Sequence, residues 1–194
     1  MSRDPEATKR AILNATWTLL ESADCTVRMS DIAKAAGVSR QAVYLHFPTR
    51  AELLIATVRH IDMEKDVNAR LTASRSAATG RERLPAFVDA WCNYIPEVHG
   101  VATALMQLAP SDEAARAARD DRLAAIRHGC AAAVDALARD GALTPLHTPD
   151  DAADLLAALL SIPTYNALRL RAGWSQTHYV EKMQEAAAQL LIAN

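Results

Sequence analysis

The sequence predicts an all-α fold, and three observations carry that prediction. Alanine supplies 41 of 194 residues, against 6 glycines, 4 tyrosines and 2 phenylalanines; it is the strongest helix former and a poor strand former. Apolar residues recur at i, i+3 and i+4 in one segment after another, and no segment sustains a period of two with hairpin punctuation. The gaps between segments hold residues that start and stop helices. About nine helices are expected, as an N-terminal three-helix module over residues 1–49 and a larger helical body over 50–194, with the fourth helix as connector.

Helix 1 is read from Pro5 to about Glu21 on the spacing of Ile12, Ala15, Leu19 and Leu20. A short helix from Ser30 to Ala36 ends at Gly37, which can take the left-handed conformation of a helix stop. Ser39 is the N-cap of a third helix, Arg40 to Phe47, that Pro48 closes. Thr49 caps a fourth, running to about Ser74, and SRSAATGRER reads as a loop. Helix 5 spans Leu84 or Pro85 to Val98 with Pro96 bending or ending it, and helix 6 spans Val101 to Leu108. Ser111, Asp112 and Glu113 begin a long helix that Gly141 stops. Helix 8 runs from Asp150 to Ala172, interrupted at Pro163 and stopped by Gly173, and helix 9 from Ser175 to Ile192.

Composition excludes several classes. Apolar stretches such as Leu155 to Leu160 are far short of the roughly 20 residues of a membrane span. The first ten residues, MSRDPEATKR, are charged and show no signal-peptide core, so a cytoplasmic location is expected. Cys25, Cys92 and Cys130 show no CxxC or Cys/His ligand spacing, so free thiols are expected, with no metal and no cofactor. Residues 1–60 hold eight Lys/Arg against six Asp/Glu, while the remainder holds thirteen against seventeen, which favours a polyanionic partner for the first segment.

Residues 30–47 have the form of a helix-turn-helix, two short helices set at a steep angle by a glycine-bearing turn. Ile32, Ala33 and Ala36 face inward from the first helix, Val38 plugs the turn, and Val43 and Phe47 face inward from the second. Arg40, Gln41, Ala42, Tyr44, Leu45 and His46 are left outside, on a helix that can enter a major groove and read base edges through Arg and Gln.

The stretch DIAKAAGVSRQAVYLHFPTRAELL, residues 31–54, resembles the DNA-binding signature of the tetracycline-repressor (TetR) family of transcription regulators. Its IA pair, AGVS turn, YxHF helix and basic residue before a leucine-rich helix follow the family pattern in order. The resemblance implies that Arg40, Gln41 and Ala42 face bases, that Tyr44 and His46 contact phosphates, and that Arg50 does so at the start of helix 4. With Ser30, Ser39 and Leu45 these form the expected DNA-binding set. Arg50 stands where the family usually has Lys, and Arg28 where it has a Thr or Ser cap.

The resemblance also implies a ligand-responsive regulator, a repressor as most of the family are, and therefore a bacterial protein. A homodimer would read a pseudo-palindromic operator. Dimerisation is expected on the last two helices through Leu155, Leu159, Ile162, Tyr179, Met183, Ala187 and Leu190. A small, largely apolar effector is expected in the middle of the chain, with Trp91, Tyr94, Met106, Gln107, His128, Tyr165 and Asn166 as candidate contacts and core packing as their alternative role. Pro163 and Gly129 would mark a kink and a close helix approach. Competing readings are a helical ligand-binding adaptor and a small-molecule enzyme, both without DNA activity. Neither GxSxG, HExxH nor a P-loop is present.

Overall fold

The structure is a computed structural model that describes residues 4–22 and 27–193; Cys25 lies outside the described residues. Asp4 opens the first helix by accepting a hydrogen bond from the Glu6 amide, with Pro5 where a missing N–H costs nothing. Helix α1 (Pro5–Glu21) buries Ile12, Leu13, Thr16 and Leu20 along one face. Helices α2 (Met29–Ala36), α3 (Arg40–His46) and α4 (Arg50–Glu64) follow, and α1 packs on both α2 and α4. Gly37 takes a φ of 65° between α2 and α3, the left-handed stop that the sequence announces. Ser39 and Thr49 cap α3 and α4 by accepting from the amides of Ala42 and Glu52.

Helix 4 does not run on to Ser74. It stops at Glu64, and Asp66 takes a left-handed φ of 51° and accepts from the Ala69 amide. An aspartate that bonds its own neighbouring backbone offers the chain an alternative to the helical ladder. Two short helices follow: α5 (Val67–Arg70) lies in the expected continuation of helix 4, and α6 (Thr72–Ser76) ends inside the expected loop. Thr79 and Glu82 then form a reciprocal cap: the Thr79 hydroxyl accepts from the Glu82 amide, and the Glu82 carboxylate from the Ala78 and Thr79 amides.

The expected helices 5 and 6 are one helix, α7 (Gly80–Leu108), with Pro85 and Pro96 inside it. An internal proline costs about 3 kcal/mol. Buried Leu84, Val88, Cys92 and Ile95 on one side of Pro96, and Val101 and Leu105 on the other, each return up to about 3 kcal/mol, so the helix continues. Asp112 caps α8 (Glu113–Arg139) by accepting from the Ala115 amide, and Gly141 ends the run with a φ of 64°.

The expected helix 8 is divided in three. Helix α9 (Pro149–Leu159) is capped by Thr148, and α10 (Ile162–Tyr165) by Ser161 with Pro163 in its first turn. A π-helical stretch over Asn166–Arg171 leads to Gly173 at φ 73°. Ser175 caps α11 (Gln176–Leu191). An isolated antiparallel bridge joins Leu143 to Ile192, and the described residues form no strand.

The chain divides into two compact units: Met1–Lys65 with Val98–Arg122, and Asp66–Glu97 with Leu123–Asn194. The core of the first gathers Ile12, Leu20, Ile32, Val43, Phe47, Leu53, Leu54, Ile61, Val101 and Leu105. That of the second gathers Leu84, Phe87, Val88, Ile95, Val134, Leu137, Leu156, Tyr165, Tyr179 and Leu191. A Cβ at Gly129 would come within 3.0 Å of the Phe87 ring, so glycine there admits the close approach that the sequence suggests.

Candidate nucleic-acid interface

Helix α3 is seven residues long, too short to persist on its own, and is held by its inner face. Val43 and Phe47 are buried in the core of the first unit. The outer face keeps Arg40 and Gln41 exposed, Tyr44 43% exposed and Leu45 82% exposed, while Ala42 and His46 are half-buried. The His46 ring lies tilted against Phe47, with centroids 6.4 Å apart. Ser30 is exposed at the start of α2. A cleft of about 360 Å³ opens beside this face, with Arg28, Ser30, Arg40, Tyr44, Arg50 and Asp112 among its walls. Three arginines against one aspartate leave it net positive.

Arg50 is not a loose surface cation. Its Nε donates to the Val27 carbonyl at 2.6 Å, and its Nη1 donates to both Asp112 oxygens at 2.7 and 2.6 Å. Burial acts to raise the Asp112 carboxyl, but hydrogen bonds from Arg50 and the Ala115 amide, with the guanidinium charge, hold it below the usual carboxylate range. A second group of ion pairs ties α4 to the start of α8: Arg59 to Asp121 at 2.5 Å, and Arg122 to Asp62 and Asp121. Asp121 too is held low: burial acts to raise it, and the bonds from Arg59 and Arg122 prevail. Asp112 escapes sequence reasoning because its partner lies 62 residues away.

In the second unit, the Trp91 indole donates to the Leu160 carbonyl at 3.0 Å and meets Tyr94 edge-on at 5.6 Å. Tyr165 is buried and stands edge-on to Tyr179 at 5.3 Å. Asn166, half-buried, begins the π-helical stretch. Trp91 and Tyr165 therefore share the core of this unit, with Tyr94 packed against Trp91. His128 is exposed in the same unit, and Met106 and Gln107 are exposed in the first, so these three stand outside that aromatic group. Of the dimer candidates, Tyr179, Met183 and Ala187 are buried in the unit's own core, which removes them from any outward face. Leu155 is 38% exposed, and Leu159, Ile162 and Leu190 are half-buried.

Sequence reasoning missed the polar chain beside the aromatic group. The Arg169 Nε donates to the Gln176 side-chain oxygen at 3.1 Å, and the Gln176 amide donates to the Cys92 carbonyl at 3.0 Å. Burial pushes the Cys92 and Cys130 thiols up to about 12, so neither is a nucleophile at neutral pH. Among the described residues, no three His, Cys, Asp or Glu side chains gather to hold a metal, and no helix is long and apolar enough to cross a membrane.

Residues 12–57 match the family model described as bacterial regulatory proteins, tetR family. The chain is 45% identical over 56 residues to the HTH-type transcriptional repressor LfrR of Mycolicibacterium smegmatis, covering 29% of each chain. It is 33% identical over 81 residues to the HTH-type transcriptional regulator BetI of Rhizobium meliloti, covering 41% of this chain and 39% of BetI. These sequence matches thus span well under half of those relatives' length. The fold is similar over nearly the whole chain to NalD, the secondary repressor of the MexAB-OprM multidrug efflux pump in Pseudomonas aeruginosa (TM-score 0.73, 24% identity, 99% of both chains). It is similar also to the fatty acid degradation regulator FadR of Bacillus halodurans (TM-score 0.73, 18% identity, 96% of both chains). The match at residues 12–57 lies on the helix-turn-helix just described, so this segment is similar to the DNA-binding module of the tetR family of bacterial regulatory proteins, and the chain as a whole shares the fold of the regulators named above.

Proposed function

We propose that the chain is a ligand-responsive transcriptional regulator, a repressor that holds a pseudo-palindromic operator as a homodimer and is released by a small, largely apolar effector. The observation that carries this reading is the outer face of α3. A helix of seven residues keeps Arg40, Gln41, Tyr44 and Leu45 in solvent beside a net positive cleft. Arg40, Gln41 and Ala42 read base edges; Tyr44, His46, Arg50, Ser30 and Ser39 hold the backbone, which sets register without reading sequence. Leu45, too apolar for a phosphate, meets a base edge or sugar.

Residues 1–49 serve as the reading head and residues 50–194 as the body. One head spans too few base pairs for useful specificity, so two act about a two-fold axis. Leu155, Leu159, Ile162 and Leu190 supply the apolar surface for the partner copy. The effector is taken by the second unit, where Trp91, Tyr94, Tyr165 and Asn166 combine ring faces with hydrogen-bonding groups. Its differential affinity for a conformer that cannot bind operator shifts the population, with a coupling of about 1–3 kcal/mol. Repression rather than activation is favoured by the repressors among the relatives. The site of action is the cytoplasm, where the DNA is.

The test is to incubate the purified protein with fragmented bacterial genomic DNA, recover what is retained at about 150 mM salt, and sequence it. Enrichment of a pseudo-palindrome with half-sites about one helical turn or a small multiple apart is expected. A folded dimer, refolded free of any carried ligand, that enriches nothing overturns the proposal.

A further inference from the structure

Arg50 has five N–H donors, and the structure accounts for three of them. Nε is spent on the Val27 carbonyl, and Nη1 on the two Asp112 oxygens. Among the described residues Nη2 has no partner. The two side chains are only 23% and 21% exposed, yet both border the positive cleft beside α3. Asp112 is itself fixed, because the oxygen that receives Arg50 also accepts from the Ala115 amide at 3.1 Å and caps α8. The guanidinium is therefore clamped on two edges, by a loop carbonyl before α2 and by the first turn of a 27-residue helix.

An aspartate at a DNA-facing cleft ought to weaken binding to a polyanion. This one does not sit there as a free charge: both its oxygens are turned onto Arg50. An arginine held in this way has already lost its rotamer freedom on folding and does not lose it again on meeting a phosphate. We propose that Asp112 is a positioning residue for DNA binding, holding Arg50 with the Val27 carbonyl so that the Nη2 edge is presented to a backbone phosphate of duplex DNA. This rests on the DNA-binding reading above. It assigns to the start of α8 a part in the DNA-binding face that the helix-turn-helix segment alone does not contain.

The proposal fixes the sign of a measurement. Removing a negative charge near DNA should tighten binding if charge alone matters; releasing Arg50 should loosen it. Phosphate contacts act on any duplex, so a labelled 30-base-pair duplex of arbitrary sequence is a sufficient probe, titrated by fluorescence anisotropy at about 50 to 200 mM salt. Asp112→Asn keeps a good helix cap, so the α8 terminus should survive. It is expected to weaken binding by roughly five- to tenfold, as loss of one charge-assisted contact would. In an Arg50→Met background the same change should alter affinity less than about twofold, since no guanidinium remains to be held. Asp112→Glu, which keeps the charge but moves the carboxylate, should also weaken binding, and it serves if Asp112→Asn does not fold. Unchanged or tighter binding by Asp112→Asn overturns the proposal, as does an equal loss in the Arg50→Met background. Both leave the DNA-binding reading standing. Wild-type protein that binds no duplex at all overturns that reading and this proposal together.

Discussion

The two compact units are made of the same alanine-rich amphipathic helices and differ in where their tyrosines go. The first leaves Tyr44 and Leu45 in solvent on α3, beside exposed Arg40 and Gln41. The second buries Tyr94, Tyr165 and Tyr179 and packs Trp91 against Tyr94. Sequence likeness follows the same division. The family match covers residues 12–57, inside the first unit, whereas the fold is shared with NalD over 99% of the chain at 24% identity. A surface that must fit the geometry of duplex DNA constrains which residue stands at each position. A core asks mainly for apolar volume in the right pattern, and many sequences supply it.

Gly80→Ala is the largest expected effect. A Cβ there would fall 2.6 Å from the Ala136 carbonyl carbon and closer still to the Leu137 amide nitrogen, both backbone atoms that cannot swing aside. The Gly80 amide also donates to Asp140 at 2.5 Å, a bond that any shift would break. A loss of more than about 3 kcal/mol is expected, or roughly 6–12 °C in melting temperature. Scanning calorimetry should place that loss in the second unit, with binding to duplex DNA retained below the transition. Equal damage to DNA binding at low temperature would break the comparison.

Tyr44→Ala probes the other side of it. Its ring is outside the core that Val43 and Phe47 complete, so the melting temperature should move by no more than about 2 °C. Affinity for duplex DNA should nevertheless fall about tenfold, which anisotropy would read. A variant that loses stability along with affinity would mean that the ring holds the helix-turn-helix together, and the outer face would then be less separable from the core.

What was legible in the sequence was local. Gly37, Ser39, Thr49, Gly141, Gly173 and Ser175 each act within a few residues, and each stands where its chemistry predicts. The Thr79–Glu82 cap was also local, but it is hidden in a polar stretch that reads as a loop. Continuity through Pro96 was not legible, because it depends on what Ile95 and Val101 bury against rather than on the proline. Helical phase in alanine-rich segments is ambiguous, since small apolar residues occupy every face. Met106, Gln107 and His128 could therefore be read as inward and are exposed. Tyr179, Met183 and Ala187 form a true stripe, but periodicity identifies a buried face without saying whether the chain's own core or a partner covers it. The Arg50–Asp112 pair joins residues 62 apart and leaves no local signal.

The smallest expected effect tests the two cores against each other. In the first unit the buried polar side chains are satisfied: Thr16 donates to the Ile12 carbonyl at 2.8 Å, Thr57 to Leu53 at 2.8 Å, and His60 is bonded to Asn14 at 2.8 Å. In the second, the Tyr179 hydroxyl is fully buried and, among the described residues, finds no oxygen or nitrogen partner; beside it stands only the Cys92 sulfur, a weak acceptor. Burial, with Cys92 and Tyr165 beside it, pushes the phenol well above its ordinary pKa, so it stays a neutral donor. A buried donor left unsatisfied costs about 1–3 kcal/mol. Tyr179→Phe keeps the ring and its edge-on contact with Tyr165 and removes only that cost. A gain of about 1 kcal/mol is expected, seen as a rise of roughly 2–4 °C in melting temperature. The corresponding change in the first unit, Thr57→Val, removes a satisfied hydroxyl and should give no such gain. A Tyr179→Phe protein that melts at or below the wild-type temperature would mean that the hydroxyl is satisfied by the Cys92 sulfur, and the contrast between the two cores at this residue would fall away.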